Sequence, residues 1–168
     1  EGRFKRAVAC KALLESQLKD IEREMIELIG SVESMAENFR LLKSIPGISF
    51  VNAVNLIIFT DNFKGFSDAR KFASYCGIAP FEYSSGTSIN KGTHVSKMAN
   101  KMLKADLSMA ARATVWCDTE LKTYYERKRA EGKSFGCVLN AVKFKLICRA
   151  FAVIKRGTPY VNTKKFAV

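Results

Sequence analysis

The sequence predicts a mainly α-helical chain: a long N-terminal coiled-coil helix followed by a compact helical domain that contains a helix-hairpin-helix-like unit. Three observations carry that expectation. Leu14, Leu18, Ile21, Met25, Leu28, Val32, Met35, Phe39 and Leu42 alternate spacings of four and three, an a/d seam held for about four heptads within residues 7–42. Two later segments, Ser96 to about Cys117 and about Ser134 to Lys155, carry apolar stripes at helical spacing. Strand signals are weak and few. The predicted division is an oligomerisation arm over residues 1–42 and a helical body over residues 43–168.

Within the arm, Lys11 takes the a position before Leu14, so the seam weakens toward the N-terminus. Gly30 falls off the seam, where it costs helix propensity but not packing. A stripe of two apolar residues per heptad is narrower than the face a globular core requires. Self-association is therefore expected in preference to packing on the chain's own domain.

After the arm, Pro46-Gly47 ends one helix and Ser49 can N-cap the next, which runs through an apolar segment to Phe59. This pattern resembles a helix-hairpin-helix, in which backbone N–H groups around Gly47 and Ser49 receive a DNA phosphate. An ordinary packing turn is the other reading. Phe63-Lys64-Gly65-Phe66 reads as a loop, and Ser67-Asp68 caps a short helix through Tyr75, closed by Gly77. An extended stretch is expected around Phe81-Glu82-Tyr83. Ser96 is expected to cap the next helix, with Leu103, Leu107, Ala110, Ala111 and Thr114 on one face. Residues 119–130 form a short charged helix with Tyr124 and Tyr125 half-buried, and Gly132 breaks it. Phe135, Val138, Leu139, Val142, Leu146, Ala150 and Val153 form the stripe of the last helix, with Lys143, Lys145, Arg149, Lys155 and Arg156 as its charges.

Charge is unevenly distributed. Residues 1–40 hold 7 basic and 8 acidic side chains, whereas residues 41–168 hold 21 basic and 8 acidic ones, net +13. A basic body on a near-neutral arm fits a polyanion such as DNA as the partner of the body. The candidate contacts are Lys91, Lys97, Lys101 and Lys104, together with the cluster Arg127-Lys128-Arg129. Lysines in the first turns of a helix oppose its dipole, so an external anion would relieve them. The five cysteines are widely spaced, no Cys-x-x-Cys occurs and His94 is the only histidine, so no zinc site of usual spacing is expected. The cysteines are expected to be small core residues in a reducing compartment. No apolar run reaches membrane-spanning length and no signal peptide is evident, so no membrane partner is expected. The chain opens on Glu1-Gly2-Arg3 without an initiator Met, as a piece of a longer protein would.

The stretch Gly77 to Ser88 concentrates the chemistry. Pro80 and Gly86 interrupt helix, and four hydroxyls lie in the five residues Ser84 to Ser88. A hydroxyl held beside positive charge suits attack on a phosphodiester, although serine needs a base, a metal or local charge to activate it. Between Leu41 and Ala110 only Asp61, Asp68, Glu82 and Asp106 are acidic, without the spacing of a two-metal site. A plain Ser/Thr/Gly surface loop is the alternative.

Gly77-Ile78-Ala79-Pro80, Ser85-Gly86, Lys91-Gly92, Ser96-Lys97 and Leu103 together resemble the C-terminal signature of the insertion-sequence transposases of the "one-ten" class. These are relatives of the Piv-type invertases and are bridge-RNA-guided recombinases. The resemblance covers about residues 41–160. Ala99 stands where the family usually has glycine, and Lys104 where it usually has arginine. The resemblance implies that Ser85 is the nucleophile, with Ser84 as the alternative. It implies a covalent serine–DNA link, later resealed to a new strand. It also implies a guide RNA, pairing of protomers through the coiled coil, and a bacterial or archaeal, cytoplasmic and nucleoid-associated setting. No cofactor is expected in this chain; Mg²⁺ is expected in the full-length enzyme, through a RuvC-like acidic domain absent here. The fragment alone is expected to bind DNA without breaking it. The rival reading is a non-catalytic helix-hairpin-helix module that binds nucleic acid and dimerises, and a third is a plain helical scaffold.

Overall fold

The computed structural model describes residues 2–85, 89–95 and 98–162, with residues 80–85 and 89–94 described by their backbone. Mainly α architecture holds. The helices are α1 (Gly2–Gly30), α2 (Glu33–Lys43), α3 (Phe50–Phe59), α4 (Ala69–Tyr75), α5 (Lys101–Cys117), α6 (Thr119–Ala130) and α7 (Phe135–Arg156), with strands β1 (Pro80–Ser85) and β2 (Ile89–Val95) between α4 and α5. The chain divides into two units, Glu1–Glu37 and Asn38–Val168.

In the first unit α1 has no buried residue, and Leu14, Leu18, Ile21, Leu28 and Val32 of the seam are exposed. The helix is not continuous through the seam as the heptads predict. It ends at Gly30 and restarts at Glu33. Glycine weakens the helix there, and Ser31 Oγ donates to the Leu28 carbonyl at 2.7 Å, a local bond that competes with the helical ladder. Phe39 and Leu42 lie in the second unit, where Leu42 is fully buried.

The second unit has one core, built from the faces that the spacing indicates. Leu103, Leu107, Ala110, Ala111 and Thr114 of α5 are all buried. Val138, Val142, Leu146, Ala150 and Val153 of α7 are buried too, and α5 and α7 are in contact. Phe72 of α4 adds the largest fully buried side chain among the described residues, its ring tilted against Phe151 at 5.8 Å. Each fully buried leucine contributes about 2 kcal/mol, so these faces hold the unit together. Phe135 is an exception: it heads the α7 stripe but stays exposed in the first turn, its ring meeting only Tyr125 of α6 edge-on and the Arg112 guanidinium of α5 among the described ring contacts.

The caps follow the sequence closely. Ser49 caps α3 in a capping box with Asn52, Asp68 caps α4 and Ser134 caps α7. One cap differs. Asn100, not Ser96, caps α5, accepting the Leu103 N–H at 3.1 Å, and the helix starts at Lys101. Ser96 lies outside the described residues. The cysteines also differ from expectation. Cys76 alone is buried, its thiol pushed up to about 12 by desolvation, whereas Cys10, Cys117 and Cys137 are exposed and Cys148 is half-buried. Cys117 ends α5 and Cys137 lies in the first turn of α7, outside the apolar faces that form the core.

Candidate functional site

The stretch singled out for its hydroxyls folds as a hairpin. β1 pairs antiparallel with β2, Pro80 opposite Val95, Phe81 opposite His94, Ser84 opposite Asn90 and Ser85 opposite Ile89. The register slips by one between Glu82 and Ser84, so Tyr83 faces both Lys91 and Gly92 across a bulge. The predicted extended stretch around Phe81-Glu82-Tyr83 is therefore the middle of a full strand. Ser84 and Ser85 are its last two residues, beside the hairpin tip. Gly86, Thr87 and Ser88 lie outside the described residues.

Two hydrogen bonds fix the hairpin root. Asn140 Nδ2 of α7 donates to the Ile78 carbonyl at 2.6 Å, just before β1. The Asn100 N–H donates to the Tyr75 carbonyl at 3.1 Å, closing the segment after β2. Asn140 is 62 residues from Ile78 in the chain, so the root is held by tertiary packing rather than by the local turn.

Beside that root lies a groove of about 850 Å³. Ile78, Ala79 and Val95 form its hairpin side, and Arg70 of α4, Lys104 of α5 and Lys143 of α7 bring three cations to its lining. Lys143 is only 6% exposed. Its Nζ donates to Ser108 Oγ at 3.0 Å, and the Ser108 hydroxyl donates in turn to the Lys104 carbonyl at 2.6 Å. Burial pulls the Lys143 ammonium below its ordinary pKa, and Lys104 and Arg112 pull it further. Among the described residues no carboxylate pairs with it.

The other predicted contacts are scattered. Lys101 is the exposed first residue of α5, and Lys104 follows one turn later, half-buried at the groove. Lys91 is in β2, and Lys97 lies outside the described residues. Gly47 occupies the turn before α3 at φ +88°. The Ser49 N–H is accepted by Asn52 Oδ1 at 2.8 Å, and its Oγ accepts the Asn52 N–H at 3.3 Å. Arg127, Lys128 and Arg129 end α6, where positive charge complements the helix dipole. Lys128 Nζ donates to Glu131 Oε2 at 2.6 Å, and Arg129 Nη1 donates to the Lys133 carbonyl at 2.6 Å.

Three acids of the second unit have structural work. Asp106 accepts from Asn52 Nδ2 at 2.7 Å and Asn55 Nδ2 at 3.2 Å, joining α5 to α3. Asp118 and Glu120 both hold Arg149. Among the described residues no three His, Cys, Asp or Glu side chains are grouped to hold a metal ion. These acids do not fit a Mg²⁺ site.

Sequence reasoning passed over Arg70 and gave Lys143 only as one of the charges of α7, without a site role. The signal for Lys143 was present. It stands four residues after Leu139 and four before Ile147, both buried, and therefore on the apolar face.

A model of the IS116/IS110/IS902 transposase family matches residues 39–126, a span that includes the hairpin, α5 and most of α6. A 43.6 kDa protein of insertion element IS110 from Streptomyces coelicolor is 33% identical over 150 residues, covering 88% of this chain and 37% of that protein. The pilin gene-inverting protein of Moraxella bovis is 26% identical over 144 residues, covering 85% of this chain and 45% of that protein. A 44.8 kDa protein of insertion element IS116 from Streptomyces clavuligerus is 28% identical over 119 residues, covering 71% and 29%. The chain thus spans less than half the length of each of these relatives. No described helix is long and apolar enough to cross a membrane.

Proposed function

Because this chain belongs to the IS116/IS110/IS902 transposase family, we propose that it is the self-associating, serine-bearing part of a DNA transposase or site-specific recombinase. The observation that carries the reading is the family match over residues 39–126, which spans Ser85. In this reading Ser85 is the nucleophile. Its Oγ forms a bond to a backbone phosphorus, the bond from that phosphorus to a neighbouring sugar oxygen breaks, and the hydroxyl proton passes to that departing oxygen. Ser84 is the alternative. A serine hydroxyl does this only with help, and a RuvC-like acidic domain elsewhere in the full-length protein is the proposed source, Mg²⁺ belonging to that domain.

The basic body is proposed to bind DNA through Lys91, Lys97, Lys101 and Lys104, with Gly47, Ser49, Arg127, Lys128 and Arg129 as further contacts. A guide RNA is the proposed selector of sites, and the arm the proposed joint between protomers. The setting is proposed to be the bacterial or archaeal cytoplasm, on the nucleoid. This chain alone is expected to bind DNA without cutting it.

The test uses the full-length protein with its RNA and Mg²⁺. Ser85→Ala is expected to abolish strand exchange while leaving DNA binding nearly unchanged, since one neutral hydroxyl adds little to association. Ser84→Ala is expected to be much milder. DNA trapped on the protein is mapped by mass spectrometry. Strand exchange by the Ser85→Ala protein, or an adduct on another residue, overturns the assignment.

A further inference from the structure

A cation almost wholly withdrawn from water is normally paired, because an unpaired buried charge is costly. Lys143 has one described acceptor, the neutral hydroxyl of Ser108, and its charged neighbours Lys104 and Arg112 repel it. Arg70 lines the same groove from a third helix, and among the described residues of that lining there is no acid. The arrangement is unfavourable for the fold by itself and becomes favourable when an anion enters. The anion chemistry follows from the body, whose net charge of +13 over residues 41–168 draws in a polyanion. At about 850 Å³ the groove has room for a phosphate with its sugar.

Position relative to the serine limits which phosphate this is. The groove touches Ala79 and Val95 at the root, whereas Ser85 ends β1 beside the tip. Five strand steps separate Pro80 from Ser85. At a strand rise of about 3.3 Å per residue, that is ~17 Å of backbone. A phosphate held at the root, beside Ala79 and Val95, is therefore not the one next to Ser85. On duplex DNA, with one phosphate per ~3.4 Å of axis on each strand, it lies several nucleotides away.

We propose that the groove at the hairpin root is a phosphate-binding site, in which Lys143, flanked by Lys104 and Arg70, holds a backbone phosphate of the DNA several nucleotides from the attacked bond. The site sets the register of DNA along the hairpin, so Lys143 is a positioning residue. The part concerning the attacked bond rests on the nucleophile reading above; the phosphate site itself rests on DNA binding by the body.

The experiment follows fluorescence anisotropy of a short labelled DNA duplex of mixed sequence, titrated with the whole chain across a salt series. Lys143→Met keeps the length of the side chain and removes its charge. It is expected to weaken binding about tenfold and to lower the salt slope by about one. Its thermal midpoint without DNA is expected to stay level or rise, since a desolvated charge is gone. Lys104→Gln and Arg70→Gln are expected to weaken binding in the same direction. Lys122→Gln, exposed on α6 away from the groove, is expected to change it less than twofold. A folded Lys143→Met protein with the parent's affinity and salt slope overturns the proposal while leaving DNA binding by the body intact. Should Lys143→Met not fold, unchanged affinity in both Lys104→Gln and Arg70→Gln overturns it instead. A loss confined to an RNA duplex of the same sequence reassigns the groove to RNA and overturns the DNA site. No binding of the parent chain to DNA in low salt overturns both this site and the proposed function.

Discussion

Thr114 Oγ1 fills the space that a side chain at Gly47 would need. The hydroxyl lies 2.8 Å from the Ala110 carbonyl and 3.2 Å from the Pro46 carbonyl, its proton shared between them. A Cβ built on Gly47 would stand 1.8 Å from that oxygen. The turn between α2 and α3 is thereby seated on the last turn of α5, and the helix-hairpin-helix-like stretch has a packing role whatever else it contacts.

Gly47→Ala is consequently expected to destabilise the chain by about 3 kcal/mol. Two causes add: a clash with Thr114, and a φ of +88° that side-chain-bearing residues resist. Urea unfolding measures it. Gly47→Ala/Thr114→Ala is expected to recover only part of the loss, because the backbone conformation is unchanged and the Cβ and Cα of residue 114 still stand 2.8 and 2.9 Å from the added Cβ. An unchanged urea midpoint in the single variant contradicts the clash.

Arg149 supplies a second test, in which burial decides which partner matters. Its Nη1 meets Asp118 Oδ2 at 2.8 Å and its Nη2 meets Glu120 Oε2 at 2.9 Å. Asp118 is 3% exposed and also caps α6, accepting the Leu121 N–H at 2.8 Å. Arg149→Met leaves Asp118 buried without its cation and is expected to cost about 3 kcal/mol. Glu120→Gln, at a partly solvated carboxylate, is expected to cost less than about 1 kcal/mol. Equal costs in denaturant unfolding would refute this division.

The exposed seam of α1 leads to a prediction about assembly. Leu18 and Leu28 are 58% and 70% exposed, on a helix without a buried residue. A second copy of the seam is the proposed cover. Sedimentation at micromolar concentration is expected to show a dimer or higher oligomer, and Leu28→Glu is expected to shift it toward monomer. A monomeric parent chain removes the idea.

Helices, their caps and the buried faces of α5 and α7 were legible because their signals are local. A stripe at three- and four-residue spacing, or a Ser49–Asn52 capping box, is complete within one turn of chain. Where neighbouring signals compete, legibility fails. Ser96 was the expected cap of α5, yet Asn100 caps it, with its own N–H held by the Tyr75 carbonyl, a contact no local pattern reveals. Gly30 falls off the heptad seam and costs it no packing, yet its cost in helix propensity, together with Ser31, interrupts the arm helix.

The sequence by itself determined the helical class, the concentration of positive charge in the body, and the family signature around Ser85. Those are properties of composition, period and short motifs, and they need no partner from elsewhere in the chain. Only the tertiary structure decided that Lys143 faces a groove rather than water, and that Arg149 serves Asp118 rather than an outside phosphate. Lys143 and Ser108 are 35 residues apart, and Arg149 and Asp118 are 31 apart. What a charged side chain does depends on which solvent and which opposite charge it meets. That is fixed only when sequence-distant helices pack against one another.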